Sequence, residues 1–184
     1  MKKITLLLAL LGTVGFSTLA SAEAGPYVGV DLGFAKSGLS DSDIQGATNI
    51  DSTNFAYKLF GGYKIDDNWA VEGAFADLGK TSYDDAGQSG DVSLRAFSVS
   101  GVGTYAVNKD FDVFAKLGLA TVKARDSIGG VSASQSHGSW LAGAGAAYHF
   151  DKNYDVKVEW NRYVNAVSTG ADADSFTVGF AYKF

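Results

Sequence analysis

The chain contains no cysteine among its 184 residues. Disulfide scaffolds, thiolate zinc sites and cysteine nucleophiles are thereby excluded. Basic charge is also short: 15 Lys and Arg stand against 20 Asp and Glu, a formal net charge of -5. That balance argues against a nucleic-acid partner, which needs a basic surface. Beyond the N-terminal region no apolar run reaches the ~18 residues of a membrane-spanning helix. Proline occurs once, whereas there are 23 glycines, 13% aromatic residues and 46% hydrophobic residues. The length suits one domain, and the apolar fraction excludes wholesale disorder.

Residues 1–22 read as a secretory signal peptide. Lys2 and Lys3 precede an apolar stretch from Ile4 to Phe16, and Ala20-Ser21-Ala22 supplies a small-residue cleavage site. The exported domain is then residues 23–184, starting at Glu23.

Within that domain, apolar and polar or small residues alternate with period two. Val28, Val30, Leu32 and Phe34 form one such run, and Phe176, Val178, Phe180, Tyr182 and Phe184 another. Six more lie between them: Asn54 to Ile65, Trp69 to Leu78, Val92 to Val107, Phe111 to Lys123, Ser139 to Phe150 and Tyr154 to Tyr163. Eight strands are expected. Their connections alternate in length. Asp66-Asp67-Asn68, Asn108-Lys109-Asp110 and Asp151-Lys152-Asn153 suit tight hairpins, because Asp and Asn tolerate turn dihedrals and bond their own backbone. Ser37 to Ser52, Lys80 to Asp91, Ala124 to Gly138 and Val164 to Asp174 read as long connections. Short turns at one end and long ones at the other mark an eight-stranded antiparallel up-and-down transmembrane β-barrel.

Hairpin register tests which residues share a face. Three-residue turns pair Ile65 with Trp69, Val107 with Phe111 and Phe150 with Tyr154; walking outward joins Tyr63 to Val71, Leu59 to Phe75 and Ala144 to Trp160. The other parity joins Gly62 to Glu72, Val102 to Lys116, His149 to Asp155 and Gly145 to Glu159. Alternation alone leaves open which face is outward, since a soluble barrel buries the apolar one. Three features favour apolar-outward. The charged residues face Gly, Ala or Val, as a crowded interior needs; Tyr63, Trp69, Tyr105, Tyr148, Tyr154, Tyr182 and Phe184 gather at the short-turn end like an interfacial girdle; and a signal peptide exports the chain.

Tyr27-Val28-Gly29-Val30, Lys58-Leu59-Phe60-Gly61-Gly62-Tyr63, Ala70-Val71-Glu72-Gly73, Phe114-Ala115-Lys116-Leu117-Gly118 and the terminal aromatic strand together resemble the OmpA-like transmembrane barrel family. The resemblance covers the whole exported domain. It implies an outer-membrane barrel, and it makes Phe176, Val178, Phe180, Tyr182 and Phe184 similar to the signal read by the barrel-assembly machinery. Because the chain stops at Phe184, the family's periplasmic peptidoglycan-binding domain is expected to be absent.

On the inward parity lie Lys58, Lys64, Lys116, Lys157 and Lys183 against Asp31, Glu72, Asp112, Asp155 and Glu159. Buried charges are costly unless paired, so a balanced set reads as an ion-pair network filling the lumen. A charge-selective pore would favour one sign. Lys36, Arg95, Lys123 and Arg162 take the outward parity near the long connections, either as snorkelling rim residues or as contacts to lipopolysaccharide phosphates. The long connections themselves are acidic, through Asp41, Asp43, Asp51, Asp84, Asp85, Asp91, Asp172 and Asp174. His137-Gly138-Ser139 is similar to the H-x-S element of lipid A deacylases, but it takes the inward parity and has no evident orienting acid, so no catalytic residue, metal or cofactor is expected.

The expectation is therefore a structural and surface protein of the Gram-negative outer membrane, supporting envelope integrity and presenting four loops. A small diffusion channel and an adhesin of the same fold are the alternatives. Expected partners are outer-membrane lipids, lipopolysaccharide and, during biogenesis, the assembly machinery; the barrel is expected to be monomeric.

Overall fold

The computed structural model describes residues 24–37, 53–85, 88–128, 131–166 and 172–184. The expected signal peptide, residues 38–52 of the first long connection and residues 167–171 of the fourth lie outside the described residues. Eight strands run in chain order: β1 (Gly25–Ser37), β2 (Thr53–Lys64), β3 (Trp69–Asp85), β4 (Gln88–Asn108), β5 (Phe111–Ile128), β6 (Val131–His149), β7 (Tyr154–Val164) and β8 (Ala173–Lys183). Each pairs antiparallel with its sequence neighbours, and β1 pairs with β8 from Tyr27↔Lys183 to Ser37↔Ala173, closing the barrel. Closure leaves no edge within the wall, so every spanning strand satisfies its backbone against a neighbour.

The hairpin registers are those of the short turns. Tyr63 faces Val71, Leu59 faces Phe75 and Ala144 faces Trp160. Asp66 Oδ1 accepts hydrogen bonds from the backbone of Asn68 and Trp69, both at 2.8 Å, and Asn108 Oδ1 accepts one from Asp110 at 2.9 Å. One pair differs from expectation: Phe111 is opposite Asn108, and Val107 is taken up in a bulge.

Orientation follows from burial. Asp31 is 0% exposed, whereas its neighbours Val30 and Leu32 are 39% and 51% exposed. The same alternation runs around the barrel, with Leu59, Phe97, Leu117, Val158 and Phe180 outside and Lys58, Glu72, Lys116 and Glu159 inside.

The walls are unequal. β4 has 21 residues, β5 18 and β6 19, whereas β7 and β8 have 11 each. A tilted spanning strand needs only about 9–11 residues, so β3 to β6 continue well past the apolar belt. Residues 80–91 and 124–138, read from sequence as long loops, are in large part β-hairpin: pairing continues to Asp85↔Gln88 and Ile128↔Val131. The alternation that marks a strand disappears there because water replaces lipid on the outer face, while backbone pairing needs no apolar side chain.

Candidate functional site

The barrel interior holds a lattice of three lysines and three carboxylates contributed by five strands. Lys58 on β2 reaches Asp31 on β1 at 2.7 Å and also pairs with Glu159 on β7. Lys116 on β5 lies 2.8 Å from Glu72 on β3 and 2.9 Å from Glu159. Lys157 is 2.8 Å from Glu159 and 3.4 Å from Asp31. Glu159 therefore meets all three cations. Tyr27 donates its hydroxyl proton to Glu72 at 3.2 Å, and the Lys157 ammonium sits 3.6 Å from the centre of the Phe60 ring. Six buried charges survive in one small lumen because each has an opposite partner; removing one partner of such a set costs about 3–5 kcal/mol.

Glycine makes the room. A Cβ on Gly179, directly opposite Asp31, would stand 1.7 Å from Asp31 Oδ1, and one on Gly145 would stand 2.4 Å from the Phe114 ring. Asn161, also buried, has no hydrogen-bond partner for its side-chain amide among the described residues.

Towards the short turns the lumen widens into a vestibule of about 100 Å³, lined among others by Lys64, Asp112, His149, Asp155 and Lys183. His149 lies between two carboxylates, its Nδ1 2.7 Å from Asp155 and its Nε2 2.9 Å from Asp112, while Lys183 is 2.9 Å from Asp155. The ten inward charges named from sequence thus fall into two groups: six in the central lattice, and Lys64, Asp112, Asp155 and Lys183 in the vestibule. His149 joins the second group through Asp155, Asp112 and Lys183, the last 3.4 Å from its Nδ1; the hairpin register foreshadowed only the contact with Asp155.

Towards the opposite end of the lumen, one layer of inward residues is apolar, with Ser139, Asn161 and Ser175 buried close by. Leu78, Leu94, Val122, Leu141 and Tyr163, with inward alanines of β1, β2, β3, β4, β5 and β8, form one buried cluster. Sequence reading in terms of charge passed over this layer. Part of its signal was present, since inward positions near the long connections carry Ala, Leu and Val.

On the outer surface above the lipid belt, Arg95 stands directly across from Lys123 and its Nε donates to Asp77 at 3.1 Å. Arg162 forms a two-pronged pair with Asp174, at 2.9 and 2.8 Å, and Trp160 Nε1 donates to the same carboxylate at 3.1 Å. Lys36 lies across from Asp174. Asp77 and Asp174 were not recognised as rim partners from sequence. A bulge between Asp77 and Lys80, with Gly79 at φ 85°, resets the parity of β3. Lys80 then shares the outer face with Arg95, Lys123 and Arg125, and all four are exposed.

The last strand presents Phe176, Val178, Phe180 and Phe184 outward, all exposed, with Tyr182 half-buried among them. Tyr182 packs against Tyr154 and Phe184, at ring-centre distances of 5.2 and 4.9 Å. Ser139 points inward and donates to the Val164 carbonyl at 2.7 Å, so its hydroxyl is aimed away from lipid. Among the described residues no three His, Asp or Glu side chains are assembled to hold a metal ion; the Asp112 and Asp155 carboxylates take opposite nitrogens of His149 and do not converge.

Comparison with known proteins places this geometry. The family described as outer membrane protein beta-barrel domain matches residues 6–184. The attachment invasion locus protein of Yersinia enterocolitica is 25% identical over 191 residues, covering 100% of both chains. Two solved barrels share the fold. Neisserial surface protein A superposes with a TM-score of 0.67 at 18% identity, over 87% of this chain and 97% of that one. The attachment invasion locus protein of Yersinia pestis superposes with a TM-score of 0.57 at 21% identity, over 87% and 99%.

Proposed function

This chain belongs to the outer membrane protein beta-barrel domain family and resides in the Gram-negative outer membrane, and from that premise we propose that it is a non-catalytic structural and surface barrel. It spans the membrane as a rigid, side-chain-filled monomer, contributes to envelope integrity and projects the β3–β6 hairpins from the cell. The observation that carries this reading is the interior: lattice residues such as Asp31 and Glu159 are completely shielded, with side chains 0% exposed. A filled lumen does the work of a strut rather than of a pore. Deleting the gene should raise envelope sensitivity to detergent and bile salts, with rescue by the intact chain; unchanged sensitivity would remove support for the structural role.

Its lipid partner is lipopolysaccharide, met at the rim. Lys80, Arg95, Lys123 and Arg125 stand together with Asp77 as the acid that engages Arg95, and Lys36 and Arg162 flank the opposite wall. Like charges placed directly across strands repel, and bridging phosphates relieve that repulsion. Reversing Arg95 and Lys123 to Glu should reduce lipopolysaccharide carried through purification. The aromatic last strand, ending in Phe184, is the segment offered to the barrel-assembly machinery; removing Phe184 should lower the heat-modifiable, folded fraction in cells.

A second reading is favoured by one observation, the full-length similarity to a protein named for attachment and invasion. In it the tall β3–β6 wall contacts a host surface. Shortening the β3–β4 and β5–β6 hairpins to the height of β7 and β8 should then abolish cell binding while leaving the barrel folded.

A further inference from the structure

The lumen changes chemistry along its length, in the same order on β1, β5 and β7. On β1 the lattice residue Asp31 is followed towards the long-connection end by Ala35, on β5 Lys116 is followed by Ala120 and Val122, and on β7 Glu159 is followed by Asn161 and then Tyr163. In the opposite direction come the vestibule residues Lys64, Asp112, Asp155 and Lys183. Exposure follows that order. Side chains of Lys183 and His149 are 24% and 22% exposed, those of Lys116 and Glu159 1% and 0%, and beyond the lattice Val122 and Tyr163 are each 1% exposed.

From this we infer that the lumen is a blind cup: it admits water and small polar solutes from the short-turn end and stops at the apolar layer, which, rather than the ion-pair lattice, seals the barrel. The lattice is suited to rearrangement, because each lysine has two carboxylates within reach. Lys116 can hold Glu72 or Glu159, and Lys157 can hold Glu159 or Asp31. Exchange among such partners keeps every charge paired, so the lattice can shift without leaving a buried charge alone. The apolar layer offers nothing in return. Leu78, Leu94, Val122 and Leu141 carry no polar side-chain atom, and Leu94, Val122 and Leu141 are paired in the ladder between strands. An ion crossing that layer would shed its water without replacement, which is how apolar constrictions block conduction.

The absence of native cysteine makes the cup directly testable. Thr104 lines the vestibule and Ala120 belongs to the apolar layer, so Thr104→Cys and Ala120→Cys report on either side of the lattice. With a small charged methanethiosulfonate as probe, Thr104→Cys should label in permeabilised cells and lose that labelling in intact cells. Ala120→Cys should label from neither side until the barrel is boiled. A second arm uses refolded protein in planar bilayers. The Glu72→Ala/Lys116→Ala barrel leaves Lys58 and Lys157 balanced by Asp31 and Glu159, and should be as silent as the native one. Heat-modifiable migration verifies the fold in each case. Labelling of folded Ala120→Cys from outside, failure of Thr104→Cys to label from the short-turn side, or steady conductance through the double variant would each overturn the inference.

Discussion

Two sets of ion pairs in this barrel use the same chemistry in different surroundings. Inside, Lys116 and Glu72 meet at 2.8 Å with side chains 1% and 5% exposed; at the rim, Arg95 and Asp77 meet at 3.1 Å with side chains 60% and 18% exposed. In the lumen both partners are shielded from bulk water, so each charge depends on an opposite charge beside it. At the rim water and salt compete for each charge, and the pair contributes little by itself. The contrast separates what holds the barrel together from what it presents to its surroundings.

The largest expected effect comes from the residue on which the interior converges. Glu159→Gln leaves three lysines sharing one carboxylate fewer, and should cost about 3–5 kcal/mol of stability, read as a lower urea midpoint for barrels folded in lipid vesicles. Replacing Glu72 and Lys116 together by Met should cost less than either single change, because no charge is left unpaired; a double variant weaker than both singles would mean that the pair contributes more than mutual neutralisation. Next in size is Gly179→Ala. Its new Cβ would stand 1.7 Å from Asp31 Oδ1, and the resulting displacement of the carboxylate should cost about 1–3 kcal/mol by overpacking. Smallest is Arg95→Ala at the rim, expected to change stability by less than about 1 kcal/mol and to do so only at low salt. A rim change as damaging as Glu159→Gln would dissolve the distinction between the two settings.

Much of this organisation is legible in the sequence because a strand's side chains alternate and a short turn fixes which residues lie opposite. The pairing of Gly145 with Glu159 follows from turn length alone and is the observed one, and Val102 pairs with Lys116 as expected through the bulge at Val107. Reading failed where the pattern depended on more than one hairpin. Lys80 could not be assigned to the outer face without the bulge at Gly79, which shifts parity by one residue. The ends of β3 to β6 were drawn too short because the outer-face apolar signal stops where lipid stops, although pairing does not. Asp174 read as a loop acid because its partners Arg162 and Trp160 are contributed by the neighbouring strand β7.

The amino-acid order by itself determined the eight strands, their neighbours and the two faces, since period-two alternation and turn length act between adjacent segments. Closure of the sheet decided the rest. Lys58 and Glu159 are 101 positions apart and pair only because the curved wall brings β2 and β7 across the same lumen. The height at which charge gives way to an apolar layer likewise depends on how tilted strands line up around the barrel, a property of the closed cylinder that no single hairpin contains.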